Sequence, residues 1–173
     1  MSTAAEYSAV ESSRDGSRLE IRAFRPEDKE SLIAAVGRAS DRSLYRRFFS
    51  HKRGFTEKEV SYFLDIDFTS HVALVAALNE HGRQTIVGGA RYVVSRPGQA
   101  ELAFAVIDQY QGQGIGAALM RHLIIIARKA GLHELVAEVL PENLVMLTVF
   151  RRSGLPVEAQ RDGPTVHVTL KLN

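Results

Sequence analysis

The sequence predicts an α/β (α+β) fold, with one mixed, mostly antiparallel sheet of about six or seven strands flanked by helices. Three observations lead to this fold class. β-rich stretches follow one another in the middle of the chain and are joined by hairpin-like connections. A glycine-rich turn then opens a long apolar helix, and a strand, a helix and a hairpin close the chain. Because no internal repeat or interdomain linker interrupts this order, a single domain over 17–173 is expected.

The N-terminal part begins with residues rich in Ser, Ala and Gly and without periodicity, which predicts a mobile tail over 1–16. Alternating apolar and charged residues predict the first strand at 18–24. Pro26 ends that strand and suits the start of a helix with acidic residues in its first turn. Two further helices are predicted, at 43–49 and from Thr56, where a Thr-x-x-Glu capping box occurs.

The central part contains three predicted strands, at 71–78, 85–94 and 100–107. Short, turn-rich connections join them, so the three strands are expected to be antiparallel neighbours. The glycine-rich turn at 111–116 precedes a helix with a strongly apolar face, and Gly131 is expected to end this helix.

The C-terminal part predicts a strand at 134–140 and a helix at 143–153. Asn143 is expected to cap that helix, because an asparagine side chain can accept a hydrogen bond from a backbone N–H of the first turn. A hairpin of strands at 157–161 and 165–170 is predicted to close the sheet.

The composition limits the function of the chain. Hydrophobic residues make up 45% and charged residues 24% of its 173 residues, which is typical of a globular domain that buries about 70% of its unfolded surface. The absence of cysteine excludes disulfides, thiolate catalysis, zinc fingers and iron–sulfur clusters. The longest apolar run, 72–78, is far shorter than the roughly 18 residues that span a bilayer, and the N-terminus shows no secretory pattern. We therefore expect a cytoplasmic protein that does not bind a membrane.

The charge distribution leaves two interpretations open. The net charge of +2 is too small to indicate binding to nucleic acid. Residues 38–58, however, contain seven basic and two acidic residues, a local charge of +5. Such a segment is either a solvated helical face or a docking surface for an acidic partner.

The strongest functional motif is the turn Gln-Gly-Gln-Gly-Ile-Gly at 111–116, between a predicted strand and a predicted helix. Glycines let successive backbone N–H groups converge at a helix N-terminus, where the helix dipole favours an anion such as pyrophosphate. A purely structural tight turn is the alternative. A P-loop is excluded, because no Gly-Lys-Ser/Thr sequence follows. The spacing Gly112-x-Gly114-x-x-Ala117 also fits a dinucleotide-binding fingerprint, but that motif belongs at the first strand of a parallel series, and here antiparallel hairpins precede it.

The motif Gln111-x-x-Gly114-x-Gly116 after a strand resembles the acetyl-CoA pyrophosphate motif of the GNAT superfamily of N-acetyltransferases. The resemblance covers residues 18–170. Other landmarks follow the order typical of that family: Ile21-Arg22, Pro26-Glu27-Asp28, Asn143, Phe150 and Gly154-Leu155. More narrowly, three segments resemble the acetyltransferase domain of bacterial Pat-type protein-lysine acetyltransferases: 43–49, 71–76 and 100–104.

The resemblance implies a GNAT fold with acetyl-CoA as cosubstrate and no metal ion. It places the pantetheine arm along the strand near Val106 and Ile107. Asn143 matches the family's cofactor-facing asparagine, although a helix cap explains this residue equally well and both roles are compatible. Phe150 stands at a cofactor-facing position where the family often has a tyrosine general acid, so no general acid is assigned. The pyrophosphate is expected to bind to the turn and the start of the helix, at Gln111, Gly112, Gln113, Gly114, Ile115, Gly116 and Ala117.

Acetyl transfer to a lysine needs a deprotonated amine, and freeing its lone pair at pH 7 costs about 4–5 kcal/mol, because the amine has a pKa near 10.4. Glu101 is the candidate general base, since the resemblance to Pat-type enzymes places their glutamate at the start of this strand. Strand alternation puts Glu101 on the same face as the small Ala103 and Ala105, which leaves room for an acceptor. Glu138 and His71 are weaker candidates.

The resemblance to Pat-type enzymes implies direct acetylation of a lysine of an AMP-forming acyl-CoA synthetase. Two alternatives remain. A GNAT reaction on a small-molecule amine would use clustered carboxylates to hold a polycation, and the sequence shows only the isolated pairs Asp65/Asp67 and Glu138/Glu142. A non-catalytic acyl-CoA-binding sensor would keep the glycine turn without the chemistry, and the presence of Glu101 argues against it.

Overall fold

One sheet of eight strands organises the described part of the chain, which in the computed structural model comprises residues 4–14, 16–28, 66–80, 82–106 and 114–173. Its order is β1-β2-β3-β4-β5-β6-β8-β7, and all neighbours are antiparallel except β5 and β6, which are parallel. The mixed, mostly antiparallel fold class is thereby confirmed. The strands are β1 (Ser8–Ser12), β2 (Arg18–Ala23), β3 (His71–Glu80), β4 (Arg83–Arg96), β5 (Gln99–Val106), β6 (Glu134–Val139), β7 (Val157–Asp162) and β8 (Thr165–Lys171).

The strand β1 corrects the prediction of a mobile tail over 1–16. It pairs with β2 in antiparallel register from Ser8 opposite Arg22 to Ser12 opposite Arg18. The carboxylate of Glu11 also bonds the side chains of Arg121 and His122 on the helix behind the sheet. Burial alone would raise the pKa of Glu11, but these hydrogen bonds outweigh it and hold the pKa below its ordinary value. Polar anchors of this kind leave no hydrophobic periodicity, so the sequence pattern did not show the strand.

The helices of the described residues are α1 (Ile115–Lys129) and α2 (Leu144–Arg151), and both occur where they were predicted. Gly131, in the left-handed region at φ 81°, follows the end of α1, and its N–H donates to the carbonyl of Arg128 at 3.0 Å. Pro26–Asp28 forms a single 3₁₀ turn. The predicted helices at 43–49 and from Thr56, and the basic segment 38–58, lie outside the described residues.

The main core lies between α1 and one face of the sheet. Apolar residues recur along α1 at helical spacing, so one side of this helix is buried against the strands. The residues of this core that are exposed by 1% or less include Leu19, Ile21, Leu74, Leu119, Leu123, Leu135 and Leu170. A smaller apolar cluster lies on the opposite face, around Phe24, Val75 and Ile86. The two faces of the sheet therefore differ: α1 covers one of them, and the candidate base lies on the other.

Candidate active site

The strands β5 and β6 pair only where they begin. Within the described residues, Gln99, Ala100 and Glu101 of β5 face Glu134, Leu135 and Val136 of β6, and the register then stops. Yet β5 continues to Val106 and β6 to Val139. The two parallel strands therefore separate after Glu101 and leave a gap in the sheet, into which backbone groups of both strands can donate and accept hydrogen bonds.

The paired end of the gap is held together by Glu134. Lys171 Nζ of β8 donates to Glu134 Oε2 at 2.6 Å, and Gln99 Nε2 of β5 donates to Glu134 Oε1. These bonds, from Lys171 first and Gln99 second, lower the pKa of Glu134 to about 2. A carboxylate bonded to the strands on both sides fixes their spacing at this end, so the separation is confined to the other end.

The candidate base Glu101 lies at the point where the gap opens. It is the last residue of β5 in register with β6, opposite Val136, and it faces Val93 of β4 on the other side. Its side chain is exposed and lies on the face away from α1, because its neighbours Ala100 and Leu102 belong to the core beneath α1. The predicted position of Glu101, beside the half-buried Ala103 on the open face, agrees with this geometry.

The helix α1 packs on the face of the sheet opposite Glu101, and its first turn begins at Ile115. Gly114 is the N-cap and has the left-handed backbone conformation, with φ 83° and ψ 9°. The first intrahelical bond that follows runs from Ala118 N–H to the Gly114 carbonyl at 3.0 Å. The N–H groups of Ile115, Gly116 and Ala117 therefore point out of the first turn without i−4 partners in the helix, which is the arrangement that binds anions. The buried Ile115 fixes this turn against the core.

The sequence 107–113, which includes the candidates Ile107, Gln111, Gly112 and Gln113, lies outside the described residues. Val106 is described through its backbone, which pairs with Gly88 of β4. The structure thus describes β5 to Val106 and α1 from Ile115, while the predicted contacts of the residues between them remain predictions.

Asn143 has the cap role that the sequence predicted. Its Oδ1 accepts a hydrogen bond from Met146 N–H at 3.2 Å at the start of α2. The side chain is only 5% exposed, so the cap is made in a buried position near the end of β6. A role toward the cofactor, which the resemblance also implies, remains a prediction.

Phe150 belongs to the core beneath the gap. It is 2% exposed, and its ring meets that of Phe104 on β5 edge to face, with ring centroids 6.1 Å apart. The ring carries no proton donor, so it cannot replace a tyrosine general acid. The ring instead packs against β5 on the face of the sheet that α1 covers.

The pair of Glu138 and His167 was not recognised as a unit from the sequence. The two residues face each other in the register of β6 and β8, and His167 Nδ1 bonds Glu138 Oε1. Thr165 Oγ1 donates to Glu138 Oε2 at 2.7 Å. Strand alternation would place Glu138 on the same face as Glu101, but the register that brings His167 beside it depends on the closing hairpin and was not predicted.

His71 was also considered as a base. It lies on the same sheet face as Glu101, separated from it by Val93 of β4. Its side chain is 5% exposed, as expected for a buried residue of a strand core. It is therefore set back from the gap, and the exposed Glu101 is the better placed of the two.

None of the helices in the described ranges is long and apolar enough to cross a membrane. Within the same ranges, no group of three or more His, Asp and Glu side chains is arranged to hold a metal ion.

The fold and the gap are those of an acetyltransferase: the Acetyltransferase (GNAT) family matches residues 41–155, and the chain belongs to this family. An acetyltransferase of Pseudomonas aeruginosa is 36% identical over 127 residues, which are 73% of this chain and 68% of that protein. The acetyltransferase Pat of Mycolicibacterium smegmatis is 34% identical over 145 residues, which are 82% of this chain. They are 42% of that protein, so the chain spans less than half the length of this relative.

Among solved structures, the chain is similar to the GNAT domain of the S. lividans protein PAT. The TM-score is 0.85 at 30% sequence identity, and the match covers 95% of this chain and 96% of that domain. The resemblance to the GNAT superfamily, and within it to Pat-type acetyltransferases, is confirmed by these comparisons.

Proposed function

We propose that the chain is an acetyl-CoA-dependent N-acetyltransferase that transfers the acetyl group directly to a lysine side chain of a protein. One observation carries this proposal. The gap between β5 and β6 has an exposed carboxylate, Glu101, at its opening on one face, and α1 packs on the other face. A thioester held in the gap would be open to an acceptor amine on the side of Glu101, while the cofactor's diphosphate would bind at the start of α1.

The cofactor side is built from backbone groups. The N–H groups of Ile115, Gly116 and Ala117, which have no i−4 partners in the helix, would bind the pyrophosphate together with Gly114 and the preceding residues Gln111, Gly112 and Gln113. The edge of β5 that has left the β6 ladder would pair with the amide groups of the pantetheine arm, near Val106 and Ile107. Asn143, the buried cap of α2, and Phe150, in the core beside Phe104, would line this region as its polar residue and its apolar floor.

The acceptor side supplies the base. The lysine ammonium gives one proton to the Glu101 carboxylate, and the nitrogen lone pair attacks the thioester carbonyl carbon. An N–C bond forms, the nitrogen of the tetrahedral intermediate releases a second proton to water, the C–S bond breaks and the thiolate of CoA leaves. Glu101 is exposed, so the proton that it accepts passes to water without a relay.

The departing sulfur needs no tyrosine in this scheme. A thiol has a pKa near 8.5, so a thiolate is an acceptable leaving group near neutral pH. Phe150 cannot donate a proton, and water protonates the thiolate after it leaves.

The similarity to Pat-type acetyltransferases favours a protein acceptor, and within this class a lysine of an AMP-forming acyl-CoA synthetase. Such an acceptor would place the reaction in the cytoplasm. The competing functions are acetylation of a small-molecule amine and non-catalytic sensing of acyl-CoA. Each of them predicts a different result in the experiment that follows.

The test is acetylation of a purified AMP-forming acyl-CoA synthetase with acetyl-CoA, followed by tandem mass spectrometry. We expect one modified lysine in the presence of the wild-type chain and a strongly reduced yield with Glu101→Gln. Acetylation of small amines with no modified protein lysine would replace the proposal by the small-molecule function. Binding of acetyl-CoA without transfer to any amine would replace it by the sensor function.

A further inference from the structure

We infer that Glu138 recognises the substrate on the acceptor side of the gap, in addition to the proposed base Glu101. Its carboxylate binds a positive charge that flanks the reactive lysine of the substrate. This inference rests on the proposed function and adds a sequence preference to it. It follows from where Glu138 lies, how its carboxylate is held and how much of it is accessible.

The position of Glu138 follows from the sheet register. Glu101 faces Val136, so continued pairing would have brought Ala103 opposite Glu138. The strands separate at this point, and Glu138 therefore borders the gap on its β6 side while Glu101 borders it on its β5 side. Glu138 is two residues after Val136, and successive side chains of a strand alternate between its faces, so Glu138 lies on the same face as Val136 and its partner Glu101. This is the face away from α1.

The carboxylate of Glu138 is oriented without being fully occupied. Thr165 Oγ1 donates to Oε2 and His167 Nδ1 bonds Oε1, so each oxygen has one partner among the described residues. A carboxylate offers about four lone-pair sites on its two oxygens, which leaves one further site on each for a donor from the substrate. A cationic donor fits best, because hydrogen bonds between charged groups are shorter and stronger than neutral ones.

The pair is accessible to a substrate. The Glu138 side chain is 31% exposed and the His167 side chain 39%. The other glutamate of β6, Glu134, lies at the paired end of the gap and can be compared with Glu138. Its side chain is only 18% exposed and already bonded by Lys171 and Gln99, so it has less room for a ligand. Among these two carboxylates of β6, only Glu138 combines exposure with a place beside the gap.

Glu158 provides a matched control. It is an exposed carboxylate on the edge strand β7, opposite Thr169 of β8, which in turn faces Val136. It therefore lies on the same sheet face as Glu138 and at the level of Glu101, but two strands beyond β6. Glu158→Gln removes the same charge as Glu138→Gln at a place that the acceptor lysine does not border.

The experiment compares short peptides that carry one lysine flanked by Arg, by Ala or by Asp. For the wild type, we expect kcat/KM to be roughly twofold to fivefold higher for the Arg-flanked than for the Ala-flanked peptide, as is typical of one partly exposed ion pair. The difference should lie mainly in KM. In Glu138→Gln the ratio should approach one, in Glu138→Lys the Asp-flanked peptide should become the better substrate, and in Glu158→Gln the wild-type ratio should remain.

A second measurement needs no variant. Added salt should reduce the wild-type preference for the Arg-flanked peptide, because screening weakens an exposed charge pair. The inference would be overturned if the preference for the Arg-flanked peptide survived both Glu138→Gln and high salt. It would also be overturned if Glu138→Gln lowered the activity on all three peptides equally. If the wild type acetylates these peptides without any preference, the inference alone fails. If it acetylates no lysine in peptides or proteins, the proposed function fails and the inference fails with it.

Discussion

The rings of Phe104 and Phe150 meet edge to face at an interplanar angle of 69°, which ties α2 to the strand β5 that borders the gap. Phe104 is on the part of β5 that no longer pairs with β6, so in the part of the chain that the structure describes the β6 ladder does not support the strand there. The aromatic contact and the ladder with β4 on its other side therefore hold this part of the strand in place.

Phe150→Leu should lower the free energy of unfolding by roughly 1–3 kcal/mol, because it removes an aromatic contact and leaves a small cavity in a buried position. Urea unfolding measures this loss. The shape of the pH–rate profile should stay the same, since the phenylalanine ring has no proton to titrate. A variant that is as stable as the wild type would show that the ring contact does not support β5.

Glu101→Gln should lower turnover about 10²–10⁴-fold near pH 7, the usual contribution of a general base. Affinity for acetyl-CoA should hardly change, because Glu101 lies on the acceptor face of the gap. The loss should become smaller as the pH rises toward the lysine pKa of about 10.4, since more of the amine is then already neutral.

The matched control for this prediction is Glu142→Gln, an exposed glutamate near the start of α2. It should retain wild-type turnover across the pH range. Steady-state kinetics with a lysine acceptor from pH 6 to about pH 10 distinguish the two variants. A loss in Glu101→Gln that is below tenfold and independent of pH would exclude Glu101 as the base.

The sequence predicted most of the sheet, because alternation in 71–94 and 134–170 is a local signal that the turns reinforce. It did not predict β1, since Glu11 is held to α1 by charge rather than by apolar packing. It did not predict the separation of β5 from β6, because the family resemblance only placed the pantetheine arm along β5. Pairing between distant strands depends on tertiary contacts, and for the same reason Glu138 and His167 could not be joined from their spacing alone.

Asp28 gives a prediction on stability against pH. Its carboxylate accepts bonds from both terminal nitrogens of the buried Arg22, at 2.7 and 2.9 Å, and from Arg25 N–H at 2.8 Å. Burial alone would raise the pKa of Asp28, but these bonds outweigh it and lower the pKa. The stabilisation is therefore complete above the unfolded value of about 3.9, and it is lost as the pH falls through the lower folded value.

Asp28→Asn should cost roughly 3 kcal/mol of unfolding free energy at pH 7, because it removes the bidentate counter-charge of the buried Arg22 guanidinium and leaves, among the described residues, only the longer 3.5 Å ion pair with Glu20. The difference from the wild type should shrink as the solution is acidified below about pH 4, where the wild type begins to lose the same charge. Urea unfolding at several pH values measures both effects. A difference that stays constant down to low pH would show that the ionised carboxylate is not what stabilises this corner of the fold.

Gly114→Glu should weaken the binding of acetyl-CoA at least about tenfold, because it brings a negative charge to the helix start that is proposed to bind the pyrophosphate. The fitting control is Gly131→Glu at the other end of α1. Both glycines have positive φ, 83° and 81°, and an added Cβ meets nothing within 4 Å at either position. The two variants therefore carry similar backbone strain and the same added charge, and they differ in which end of α1 they change.

Isothermal titration calorimetry with acetyl-CoA should show weak binding for Gly114→Glu and near wild-type affinity for Gly131→Glu. Equal affinities in the two folded variants would mean that the pyrophosphate does not bind at the start of α1.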